Sequence, residues 1–196
     1  MGLPSSTLSS TPLALTLLVG CSAGGGTATS PQPEAGAPPE SDAQYVATVS
    51  DFDCLQDSEW TTVGVSRFKN QLGHTAEMLA VAYSHDGGTY PVGTIIQLVP
   101  TEASVKRGGN FSPPSNDWEF FSLSVSSTGT TITARGGDAS VVNFTGSSCL
   151  GCHSKAAPQW DFVCGDPDGG NTHGCAPLPL TGAQLASLQS SDPRCP

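Results

Sequence analysis

Cys149-Leu150-Gly151-Cys152-His153 is the stretch of this chain whose residue types and spacing point most directly to chemistry. Two thiols three positions apart on one turn can each add to one vinyl group of a haem, while the adjacent imidazole is directed at the iron beneath the ring. The pentapeptide therefore predicts one covalently bound haem c, attached through Cys149 and Cys152, with His153 as the proximal iron ligand. Three other chemistries compete for the same residues. A structural zinc site would need further ligands, for which Cys164, His173 and Cys175 are available. A thioredoxin-type redox pair would want a strand-to-helix entry in a βαβ unit, whereas Gly146-Ser147-Ser148 before the motif reads as a turn. Disulfides alone would leave the placement of His153 to chance.

Haem attachment of this kind takes place on the periplasmic side in bacteria, and the N-terminus points to export independently. Pro12 to Gly20, PLALTLLVG, is a short apolar run that ends at Cys21 and is too brief to span a bilayer. Leu18, Val19, Gly20 and Cys21 resemble a bacterial lipoprotein cleavage box, in which Cys21 becomes the lipidated first residue; Ser22 follows rather than Asp, which favours the outer membrane. The segment before the run has no Lys or Arg, a departure from the usual basic start. Residues 1–20 thus read as a lipoprotein signal peptide, and 21–43, rich in Gly, Pro, Ser and Ala, as a flexible tether. Residues 44–196 would form one haem domain facing the periplasm or the cell surface, held to the membrane only by its lipid. A formal net charge of -10, with seven Lys plus Arg, excludes nucleic acid as a natural partner.

Of seven cysteines, a lipidated Cys21 and the two haem-bound thiols leave Cys54, Cys164, Cys175 and Cys195, an even number in an oxidising compartment. Cys164 with Cys175, and Cys54 with Cys195, is one of three possible pairings and the one favoured by local proximity in sequence.

These residues must be positioned by elements that the sequence shows as mainly β, an antiparallel sheet with a few short helices (α+β). The clearest strand alternates Phe121, Leu123 and Val125 with Ser122, Ser124 and Ser126, and turns at Thr128-Gly129. Further strands are expected at Trp60 to Phe68, Ala76 to Tyr83, Thr94 to Val99, Ala103 to Arg107, Thr130 to Arg135 and Ser140 to Phe144, separated by Gly- and Pro-rich turns. Thr181-Gly182-Ala183-Gln184 has capping-box spacing and predicts a short helix with Leu185 and Leu188 as its apolar stripe. Another short helix should carry or follow the Cys149 to His153 segment. The aromatic residues Phe52, Trp60, Phe68, Phe111, Trp118, Phe120, Phe121, Phe144, Trp160 and Phe162 read as core, some of them lining the haem.

The order of the motifs bears on the iron. Only 43 residues follow His153 and none is Met; the only Met after the signal is Met78. His74, His85 and His173 are the other possible sixth ligands, each also readable as a turn or surface residue, so an open sixth position is expected. Tyr90-Pro91-Val92-Gly93-Thr94, Ala103-Ser104-Val105-Lys106, Trp118-Glu119-Phe120-Phe121, and the motif followed by Ser154-Lys155 and Asp161-Phe162-Val163 together resemble the cytochrome P-460 family, which includes cytochrome c-prime-beta. The resemblance covers about Trp60 to Val163. It implies a small antiparallel-sheet haem fold, usually a homodimer, with a five-coordinate haem facing an apolar pocket.

Within that family, cytochrome P-460 oxidises hydroxylamine on a haem cross-linked to a lysine of the strand after the Gly-Thr turn, and the prime-beta relatives lack that lysine and bind small gases such as nitric oxide. Here the strand reads Gly93-Thr94-Ile95-Ile96-Gln97-Leu98, with Gln97 or Leu98 at the lysine's place. Lys69 and Lys106, on neighbouring segments, read as solvated surface residues. Glu102 reads either as a distal carboxylate able to accept a proton or as a strand-end surface charge. The resulting expectation is a haem protein that binds a small gaseous or nitrogen-oxide ligand, or handles electrons with a redox partner protein. The alternatives are a hydroxylamine-oxidising enzyme and a zinc- or disulfide-stapled lipoprotein.

Overall fold

Period-two alternation of apolar side chains gives one six-stranded antiparallel sheet, its strands lying side by side in chain order. The computed structural model describes residues 44–166 and 171–196; the expected signal peptide, Cys21 and tether lie outside the described residues. The strands are β1 (Thr61–Val63), β2 (Ser66–Asn70), β3 (Thr94–Gln97), β4 (Glu102–Lys106), β5 (Trp118–Ser126) and β6 (Gly129–Gly136). The expected Trp60 to Phe68 strand is two strands, because Gly64 takes a left-handed φ of 55° and reverses the chain. Among the described residues three short α-helices accompany the sheet: α1 (Thr75–Ala82), α2 (Cys149–His153) and α3 (Gly182–Ser190). Among the described residues no helix is long and apolar enough to cross a membrane.

The pairing sorts side chains onto two faces. Phe68, Ile96, Ser104 and Phe120 are successive cross-strand partners and so share one face. Ile95 and Val105 pair likewise on the other, where Ala103 pairs with Phe121. That second face closes against Ala47, Phe52, Leu55 and Trp60. The first packs against Met78 of α1, Tyr90, Val141 and Cys149. Strand β5 begins with four buried residues, Trp118 to Phe121, because both faces are covered there; Ser124 and Ser126, further along, are exposed.

Three sequence expectations are corrected. Ala76 to Tyr83 is helix, not strand: Ala, Glu, Met and Leu are strong helix formers, and Met78, Val81 and Ala82, three and four apart, pack against the sheet together. Ser140 to Phe144 makes only an isolated bridge between Val142 and Ser148. Its polar side chains compete for the backbone, with Asn143 Oδ1 accepting from the Thr145 and Ser147 amides at 3.0 and 2.9 Å. In α3 the capping box of Thr181 and Gln184 forms as expected, but Leu188 is 42% exposed. The inward stripe is Leu185 and Gln189, whose amide donates to the Val65 and Leu98 carbonyls at 2.7 and 2.8 Å.

Candidate functional site

The helix α2 that carries the Cys-x-x-Cys-His segment starts where the Ser148 hydroxyl accepts from the Gly151 amide at 3.1 Å. Cys149, Cys152 and His153 all line a cavity of about 510 Å³, within the range that holds small molecules and cofactors. Its floor is the open part of the sheet's first face, with Ser66, Ile96, Leu98, Ser104, Trp118 and Phe120. Residues Val163 to Gly165 and Cys175 to Pro179 supply the facing wall, and Asn143 to Thr145 a polar corner.

Cysteine chemistry divides cleanly. Cys54 is bonded to Cys195 and Cys164 to Cys175, the same two pairs favoured by the sequence, while Cys149 and Cys152 are free. Burial, helped by the nearby Glu102 and Cys152, pushes the Cys149 thiol up to about 11. With Cys164 and Cys175 joined to each other, the thiolates that a zinc site would have drawn on are committed elsewhere. Among the described residues no group of three or more His, Cys, Asp and Glu is placed to hold a metal ion.

The His153 ring leans on Phe120 with centroids 4.9 Å apart, and its Nδ1 lies 2.7 Å from the Phe162 carbonyl oxygen. A carbonyl can only accept, so Nδ1 carries the proton and Nε2 keeps its lone pair. Burial holds this imidazole below its ordinary pKa, against the opposing pull of the Phe162 carbonyl, so the ring is held neutral. A neutral ring with one nitrogen anchored and the other unprotonated is the form in which histidine binds iron.

Glu102 opens β4 at the strand's end, half-buried in the cavity wall, and its Oε1 accepts from the Phe144 amide. Burial raises its pKa. Leu98 lines the cavity, whereas Gln97 is buried on the opposite side of the strand with its amide donating to backbone carbonyls. Among the aromatic residues, Trp118, Phe120, Phe121, Phe144 and Phe162 reach the cavity.

Lys69 and Lys106 are not solvated, contrary to the sequence reading: they are 4% and 5% exposed. Lys69 sits over the Trp60 ring beside Asp53 and Glu59, and Lys106 is paired with Asp161 at 2.7 Å. Neither lines the cavity. The alternation of β4 could have indicated this, since Glu102, Ser104 and Lys106 must share a face that Trp118 and Phe120 make an inner one. Of the spare histidines, His173 stacks on Trp160 at 3.7 Å with its Nδ1 on the Val163 carbonyl, His74 begins α1 and His85 is exposed; none lines the cavity. Sequence reasoning did not find the Phe162 carbonyl or the wall from Cys175 to Pro179, for neither has a side-chain pattern that announces it.

No protein-family model, curated protein or solved structure matches this chain.

Proposed function

We propose that this chain is an exported c-type haem protein, with one haem c bound through Cys149 and Cys152 and His153 as its axial ligand, and that it binds a small diatomic such as nitric oxide. The observation that carries the reading is the convergence of two free thiols and a neutral, carbonyl-anchored histidine on one cavity of about 510 Å³. When bound, the haem supplies an iron that can change oxidation state and take a gaseous ligand. The chain's own residues do the rest. The thiols would hold the macrocycle; the Phe162 carbonyl orients the His153 ring; Ile96, Leu98, Trp118 and Phe120 would exclude water.

Met78 of α1 is buried against the sheet and does not line the cavity, which favours an iron with an open sixth position. An apolar cavity prefers neutral diatomics to charged ligands, because burying an unpaired charge costs several kcal/mol or more. The resemblance to the cytochrome P-460 family favours the same reading and a homodimer, while the cleavage-box resemblance of Leu18 to Cys21 favours a lipid-anchored outer-membrane location, where a redox partner protein could meet the haem. Glu102 gives one specific reason to keep a second reading, oxidation of hydroxylamine or a related nitrogen compound: a carboxylate in the cavity wall with a raised pKa can accept a proton there.

Mass spectrometry of the peptide containing Cys149 and Cys152, after expression with a haem-attachment system, tests the proposal. A haem adduct that survives denaturation is expected. An unmodified or disulfide-linked peptide overturns it.

A further inference from the structure

Asp161 and Phe162 both have left-handed backbones, with φ of 48° and 63°. A bulky aromatic residue in that region is an outlier, and such strain persists only where its surroundings over-determine it, commonly at functional sites. Here the surroundings are unusually complete. The Asp161 carboxylate, 2% exposed, accepts from Lys106 Nζ at 2.7 and 2.9 Å, from the Tyr90 amide at 2.8 Å and from Asn116 Nδ2. Its own carbonyl accepts from Trp118 Nε1 at 2.7 Å, and Lys106 is itself tied to the Asn116 carbonyl at 2.7 Å. Strands β4 and β5, the Tyr90 loop and the Asn116 turn thus all grip one residue. Beyond that grip, the left-handed pair presents the Phe162 carbonyl to His153 Nδ1 at 2.7 Å.

We infer that Asp161, clamped by Lys106, is a positioning residue that fixes the ring orientation and tautomer of His153 through the Phe162 carbonyl. As a statement about iron it rests on the haem reading; as a statement about His153 it does not. A hydrogen bond from Nδ1–H to a fixed acceptor raises the basicity of Nε2, strengthens its bond to iron and stabilises the ferric state. Loosening the acceptor should therefore weaken the iron–histidine bond and raise the reduction potential. Lys106 acquires a role by the same argument, as the counter-charge that keeps the Asp161 carboxylate in place.

The test uses the full chain with Asp161→Asn, and Asn116→Gly as a milder variant that keeps a left-handed turn and removes one donor. Long-range proton–nitrogen NMR on haem-free protein should show a single Nδ1–H tautomer of His153 in the parent, a mixture in Asp161→Asn and a smaller change in Asn116→Gly. In haem-loaded protein, resonance Raman of the ferrous form should show the iron–histidine stretch falling in the same order, with the midpoint potential rising. Leu185→Ala, which weakens the core at α3 away from this turn, serves as the control for general destabilisation. An unchanged tautomer and stretch in both site variants, or equal changes in Leu185→Ala, overturns the inference. A parent chain that takes up no haem overturns the haem reading instead, and the NMR result alone then decides the role of Asp161.

Discussion

The two faces of the sheet come from alternate residues of the same strands and end differently. Ile95, Ala103, Val105, Phe121 and Leu123 meet Phe52, Leu55 and Trp60 and close into a core. Ile96, Leu98, Ser104 and Phe120, one residue out of step, face a cavity of about 510 Å³ with two free thiols and a histidine on its wall. Both sets are suitable for burial, so the difference lies in what arrives opposite them. The closed face receives large side chains from residues 52–60; the cavity face receives the short helix α2 and a Gly- and Pro-containing wall that cannot fill the space. One face serves stability and the other leaves room for a large planar group.

The sharpest way to break this contrast is to remove the thiols. Cys149→Ser with Cys152→Ser should abolish covalent haem completely, read as loss of the adduct by intact mass, while leaving the closed face folded by circular dichroism. A haem-bearing double variant would mean that the cavity is not the attachment site. In the parent, electron paramagnetic resonance of the ferric protein should give a high-spin signal. A purely low-spin signal abolished by replacing His74, His85 or His173 would instead identify a sixth ligand and sink the open-position expectation.

The disulfides divide between the two faces and should differ in worth. Cys54–Cys195, beside Leu55 of the closed core, spans 141 residues, and Cys164–Cys175, in the cavity wall, spans 11. Closing the longer loop removes more entropy from the unfolded chain. Replacing the first pair with Ser should cost about 5 kcal/mol and the second roughly 3 kcal/mol, measured by denaturant unfolding. Only the second should also change the rate at which ferrous protein takes up carbon monoxide, seen by flash photolysis.

A matched pair of truncations sharpens the comparison further. Phe52→Ala, in the closed core, should cost about 4 kcal/mol, because a close-packed site cannot collapse onto the void. Phe120→Ala, whose ring already borders open space and leans on His153, should cost less in stability and shift the haem absorption bands more. Equal stability losses with equal spectra would show that the two faces are energetically alike.

Much of this division was legible in the sequence, and the misses share a cause. The alternation at Phe121 to Ser126, the Thr181 capping box, a short helix at Cys149 to His153 and the pairing of Cys54 with Cys195 and Cys164 with Cys175 are all local or countable, and the structure has each of these features. Ala76 to Tyr83 was misread because an eight-residue apolar segment carries both periods, and only packing against the sheet selects the helix. Leu188 lost its inward place to Gln189 because two backbone carbonyls, of Val65 and Leu98, needed a donor that leucine does not have. Lys106 could be followed to an inner face by strand parity, but its partner Asp161 lies 55 residues on, in a turn with no periodic signal. The cavity itself is a shape, set by how far α2 and the later wall stand from the sheet, and residue types alone do not encode that distance.

The smallest expected effect compares two carboxylates, one behind each face. Glu119, on the closed side, is 3% exposed and gripped by Arg107 and Arg135, the latter through Nε at 2.6 Å and its Nη2 at 2.8 Å. Glu102, on the cavity side, accepts from the Phe144 amide, has no arginine or lysine bridged to it among the described residues, and burial raises its pKa. A carboxyl group whose folded pKa lies above its unfolded value binds protons more tightly in the folded state. Its contribution is therefore fully present below the unfolded pKa and lost as pH rises through the folded one. Glu102→Gln removes that loss and should stabilise haem-free protein modestly at pH 8, with the gain vanishing toward pH 4; Glu119→Gln, which strands two guanidinium groups, should destabilise at pH 8. The same Glu102 change withdraws a negative charge from Cys149, whose thiol now lies at about 11, so alkylation of Cys149 at pH 8 should quicken. Unfolding at pH 4 and pH 8, together with iodoacetamide kinetics followed on the Cys149 peptide, gives both readouts. Stabilisation without faster alkylation would mean that Glu102 is strained by burial alone and does not act on the thiol beside it.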